Sequence, residues 1–183
     1  MLDSIENIKL KDMGKLKPEQ AERYGAILRC LKPKSILGTR KAKNIFEMQF
    51  AEVENMRRDI GSPDGMFKAM CLFYDCPEEL LTDYRIIQFY HALNHLLSQI
   101  EHLDNIERQN LYSKPKQEDI DAGIREFDRF SSLNVLDDFA KDYGKSPLEV
   151  EQWPYGLIYS LMWRRKVSRD FEENKFEAMK TKK

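Results

Sequence analysis

The chain has 183 residues, enough to bury one sizeable core or two small ones, and its 42% hydrophobic and 33% charged content is that of a folded globular protein. Its 30 Lys and Arg against 31 Asp and Glu leave no positive surplus, which disfavours a general polyanion binder. No run is apolar enough to span a membrane, and MLDSIENIKLKDMGKL lacks the core of a secretory signal. Cys30, Cys71 and Cys76 are spaced unlike a zinc or CxxC site, so the expected setting is a reducing cytoplasm with free thiols.

Taken in chain order, residues 1–17 form an N-terminal arm of mixed charge. After Pro18, the residues Ala21, Tyr24, Ile27, Leu28 and Leu31 recur at the spacing of one buried helical face, and Pro33 stops it. Residues 41–60 repeat the pattern with Ile45, Phe46, Phe50, Val53, Met56 and Ile60, closed by Gly61 and followed at once by the start signal Ser62 and Pro63. The next helix carries Met66, Phe67, Met70 and Phe73 and ends near Asp75. A turn there, made plausible by Pro77, leaves a Cys71 to Cys76 bridge open. Pro77 opens a short element, and a long helix runs from about Asp83 to Leu111 with Ile86, Phe89, Tyr90, Leu93, Leu97 and Ile100 inward.

Residues 112–117, with Ser113 and Pro115 among lysines, read as a linker between a larger helical region, 18–111, and a smaller one, 118–183. The smaller region should hold helices at about 118–127 and 133–143, a short one after Pro147, and a last one from Pro154 past Phe171. Gly144 marks the close of one helix; Ser146, Pro147 and Glu149 are the cap, first turn and capping-box partner of the next. With no strand-length alternation, the expected fold class is all-α, a multi-helix bundle of about seven to eight helices, with at most a small ribbon in residues 1–17 or 34–39. No internal repeat is evident.

Catalytic chemistry is absent from the pattern. His91, His95 and His102 share one helix face at a spacing that can chelate a metal, but at about 100° per residue that face lies opposite the apolar stripe. Position 92 is alanine where an HExxH site needs glutamate, so a solvated polar face is the expected reading, with metal binding the alternative. Glycines stand singly, no nucleophile has a base and an oxyanion donor beside it, and acid pairs such as Asp137 with Asp138 sit among basic residues. The expectation is a protein that is not an enzyme and uses no cofactor.

Two basic clusters, one over residues 29–43 and one at Arg164, Arg165, Lys166 and Arg169, suit either solvent or an acidic surface. Residues 133–153 have the outline of a helix-turn-helix, which makes a DNA-binding or packaging accessory protein the alternative function. Against it, Glu149 and Glu151 would face a polyanion. Trp153, Tyr155, Tyr159 and Trp163 crowd into one short stretch beside Arg164 and Arg165, the residue types that dominate protein interfaces; a core position for some of the rings is equally open.

The run from Ala122 to about Glu172, through Tyr143, Gly144, Ser146, Pro147, Glu149, Val150, Trp153, Pro154, Tyr155 and Tyr159, resembles the C-terminal part of tail assembly chaperones of long-tailed bacteriophages. The resemblance implies a helical, non-enzymatic factor of the bacterial host cytoplasm that binds the tape measure protein and tail tube subunits, with homo-oligomerisation left open. Partner binding would fall on Trp153, Tyr155, Tyr159, Trp163, Arg164 and Arg165.

Overall fold

The computed structural model describes residues 5–180 apart from 125, 127–129 and 131. Turns of 3-10 helix at Ile5–Asn7 and Leu10–Lys15 lead into α1 (Pro18–Arg29), with Pro18 in the first turn, where its missing N–H costs nothing. A two-residue ribbon follows, β1 (Ile36–Leu37) antiparallel to β2 (Arg40–Lys41), pairing Ile36 with Lys41 and Leu37 with Arg40. Then come α2 (Phe50–Asp59), α3 (Pro63–Phe73), α4 (Glu78–Leu81), α5 (Ile86–Asn110), α6 (Gln117–Asp121), α7 (Ser132–Tyr143), α8 (Pro147–Val150) and α9 (Tyr155–Lys180). The protein is thus all-α, as its periodicity predicts, with one small ribbon.

One expected helix is shorter than its spacing suggests. Residues 41–49 carry helical periodicity, yet α2 begins only at Phe50. Their backbone is committed elsewhere: Ala42 N–H donates to Ser35 O (2.8 Å) and Lys43 N–H to Phe73 O (2.9 Å), so Ile45 and Met48 reach the core from an irregular segment. Of the helix expected at 118–127, Gln117–Asp121 is observed, while residues 125 and 127 lie outside the described ones. So do residues 1–4 of the expected arm.

The chain forms two compact units, one of Met1–Ile45 with Asn55–Leu103 and the other of Phe46–Glu54 with Asp104–Lys183. The linker expected at 112–117 therefore falls inside the second unit. The first unit buries Leu28, Leu37, Met70, Phe73, Tyr74, Leu81, Ile86, Phe89 and Leu96, each worth roughly 1.5–3 kcal/mol when fully removed from water. The second is built on Phe50, Val53, Phe139, Val150, Tyr155 and Ile158.

Each unit contains the same supersecondary motif, in one-to-one register. α3, a left-handed residue (Asp75, φ 48°), α4 and α5 in the first correspond to α7, a left-handed residue (Gly144, φ 61°), α8 and α9 in the second. The helix closures match: Cys76 N–H donates to Cys71 O and Lys145 N–H to Ala140 O, both at 2.9 Å, the outer bond of a Schellman motif. The starts of the long helices match as well. In the first unit Leu10 N–H donates to Tyr84 O (3.0 Å), Lys11 N–H to Thr82 O (3.1 Å) and Ile86 N–H to Ile8 O (2.8 Å). In the second, Phe50 N–H donates to Trp153 O (2.9 Å), Ala51 N–H to Glu151 O (3.0 Å) and Tyr155 N–H to Met48 O (2.8 Å). Isolated bridges at Lys9–Arg85 and Gln49–Pro154 complete the two clasps. The sequence shows no repeat because different residues impose the same backbone: Asp75 stands for Gly144, Pro77 for Ser146 and Arg85 for Pro154.

Candidate partner-binding face on the last helix

α9 is held at its start by the clasp and by rings. Tyr155 is fully buried, stacked on Phe50 at 5.9 Å and edge-on to Phe46 at 6.2 Å, with its hydroxyl donating to the Glu107 carboxylate. Tyr159 is buried too; its hydroxyl accepts from Asn110 Nδ2 at 2.7 Å. Gly156 donates its N–H to the Phe46 carbonyl at 2.9 Å, and a Cβ there would stand 3.0 Å from that oxygen, so the close approach of chain and helix favours glycine. These two tyrosines are core residues rather than surface anchors.

The other expected site residues divide. Trp153 is half-buried and meets Tyr143 edge-on at 5.3 Å. Arg165 lies over the Phe139 ring at 4.0 Å and pairs with Asp142 and, at 3.7 Å, Asp138, so it ties α9 to α7. Trp163 is 47% exposed and Arg164 is exposed. The structure adds residues that the sequence reading passed over. Leu157, Val167 and Phe171 of α9 are exposed, and so are Phe176 and Met179 further along. The signal was present, since Trp163, Val167 and Phe171 stand at i, i+4, i+8.

Between α7 and α9 lies an open groove of about 440 Å³ with Val135, Phe139 and Met162 on its apolar side and Arg165, Lys166 and Arg169 along its basic one. Lys166 is paired with Asp170 at 2.5 Å, and Arg169 donates to Ser113 Oγ at 3.1 Å.

The chain matches no family model, no curated protein and no solved structure.

The remaining sequence candidates take structural places in the first unit. The histidine face is not simply solvated. His91 donates from Nδ1 to the Lys32 carbonyl at 2.6 Å, while His95 is half-buried 6.0 Å from the Phe73 ring; of the three, only His102 is exposed. Burial holds the His95 pKa below its ordinary value of 6.5. Among the described residues, no three His, Cys, Asp or Glu side chains come together as a metal site. All three cysteines are free, with Cys76 buried and the Cys71 and Cys76 thiols pushed up by burial. In the basic stretch, Arg40 donates to the Asp75 carbonyl. No helix among the described residues is long and apolar enough to cross a membrane.

Proposed function

We propose that this protein is a non-enzymatic assembly factor of the phage tail, a chaperone that holds the tape measure protein and tail tube subunits in the cytoplasm of the bacterial host. The observation that carries the reading is the exposed apolar stripe of α9, Trp163, Val167 and Phe171, on a helix whose residues are all exposed from Phe171 to Lys180. Apolar and aromatic side chains aligned on one exposed helix face beside an arginine are the residue types that carry binding energy in protein interfaces. The resemblance of residues 122–172 to tail assembly chaperones supports the same assignment. The DNA-binding alternative has little to stand on: α8, which would be the recognition helix, is a single turn, and its Glu149 is occupied in the capping box with Ser146.

The test is co-expression with a tape measure candidate, a long apolar helical protein from the same gene cluster, followed by pull-down. Trp163→Ala and Arg164→Glu should each weaken capture at an unchanged melting temperature. Arg164 is the cleaner choice because Arg165 holds α7. If the wild-type chain ignores the tape measure but binds duplex DNA with a steep salt dependence, the alternative replaces this reading.

A further inference from the structure

The two copies of the motif differ in what covers them. In the first unit the end of α1 and the extended chain after it lie along α5. Asn94 Nδ2 donates to Leu28 O (3.3 Å) and Leu31 O (2.8 Å), and His91 Nδ1 to Lys32 O (2.6 Å). Tyr74, 1% exposed, donates from its hydroxyl to Lys34 O at 3.3 Å and to Ala92 O at 3.0 Å. One segment, Leu28 to Lys34, thus has carbonyls bonded by two side chains of α5, His91 and Asn94, and by Tyr74 at the end of α3, and these side chains are buried or half-buried.

In the second unit the same register places Tyr143 at Tyr74, Ser160 at His91, Trp163 at Asn94 and Arg164 at His95. All four are exposed, Tyr143 at 50% and Trp163 at 47%. Tyr143, Trp163 and Arg164 can each donate a hydrogen bond, through phenol, indole or guanidinium, while the Ser160 hydroxyl donates to Gly156 O at 2.7 Å. The face is also more apolar than its counterpart, because Val167 stands where the first unit has Ser98.

We propose that this face of the second unit, which the described residues leave exposed, serves as a helix-docking groove, and that its occupant is the C-terminal turn of an amphipathic helix from a partner protein. Charge selects that end of a helix. Its last carbonyls lack intrahelical donors and carry the negative pole of the helix dipole, while the face offers Arg164 and other donors, with no carboxylate among Tyr143, Ser160, Trp163, Arg164 and Val167. The inference rests on the reading of α9 as a partner surface and specifies which part of it is used and by what.

The experiment uses the full chain with two probes. The first is the co-expressed tape measure candidate; the second is a synthetic peptide of residues 18–34, whose carbonyls the equivalent side chains already bind in the first unit. Tyr143→Ala, which shortens the groove wall, and Ser160→Trp, which fills it, are compared with Phe171→Ala outside it, and each variant's melting temperature is checked. Expected is a loss of tape measure affinity of roughly tenfold or more for the first two and a smaller change for the third. Hydrogen exchange should slow in Ser160–Val167. Capture that survives both groove variants overturns the groove and leaves the chaperone reading standing. If the tape measure is not bound at all, the chaperone reading falls, and the peptide decides: slowed exchange at Ser160–Val167, abolished by Ser160→Trp, upholds the groove, while no change overturns it. Should Tyr143→Ala prove unstable, Ser160→Trp alone, at an exposed position, carries the comparison.

Discussion

Arg164 and Arg165 are neighbours in sequence with different tasks. Arg165 stacks on Phe139 and faces Asp138 and Asp142, so reversing its charge removes a cation–π contact and sets a third carboxylate against two. Arg165→Glu should cost about 1–2 kcal/mol in chemical denaturation, and Arg164→Glu no more than about half a kcal/mol. Sequence cannot separate the two, because the choice depends on which side of α9 meets α7. The histidines show the same limit. On a helical wheel they lie opposite the apolar stripe, yet the Leu28 to Lys34 segment crosses that side and bonds His91, and His95 is half-buried beside the Phe73 ring. His95 therefore acts on stability through pH. Its folded-state pKa lies below 6.5, so the unfolded chain takes up the proton first as pH falls. The stability present above pH 6.5 is lost as pH drops through the folded value. His95→Gln should flatten that part of a stability-versus-pH curve; an unchanged slope would remove His95 as its source.

At the scale of elements, the helix ends were the most legible part of the sequence. Gly144 does adopt positive φ, Ser146 and Glu149 form the reciprocal capping box, and Ser62 accepts from Gly65 N–H at 3.1 Å. Capping is local chemistry within a few residues, so a single sequence suffices to read it. What escaped was set by distant backbone: the ribbon that takes residues 40–41, and the clasps joining Ile8–Lys11 to Thr82–Ile86 and Met48–Ala51 to Glu151–Tyr155. The two equivalent helix closures give a paired test of conformational cost. Asp75 holds a left-handed conformation without being glycine, so Asp75→Gly should be neutral or stabilising by up to about 1 kcal/mol. Gly144→Ala, in the same conformation, should destabilise by about 1 kcal/mol. Equal and opposite shifts in denaturation midpoint would show the two turns to be energetically alike. A large loss at Asp75 would mean that its carboxylate contributes more than its backbone costs.

For the whole molecule, the separation of folding from binding can be tested on α9. Its first part is bound into the second unit by Tyr155, Ile158 and Tyr159, and Arg165 continues the attachment; from Phe171 to Lys180 each residue is exposed. The ion pairs of that last stretch, such as Lys116–Glu173 at 3.5 Å, lie at the surface, where each stabilises by a few tenths of a kcal/mol. A chain stopped after Asp170 should therefore keep its fold. The expected loss is below about 1 kcal/mol, or roughly 2–4 °C in melting temperature at this size, with circular dichroism falling only by the removed helix. The same truncation removes Phe171, Phe176 and Met179, and so shortens the apolar stripe by its far half while leaving Tyr143, Ser160 and Trp163 in place. Partner capture should be weakened rather than abolished. Complete loss of capture by a chain that still melts as the wild type does would move the main contact to the far end of the helix. A large drop in melting temperature would show instead that these exposed residues stabilise the fold, against the burial pattern.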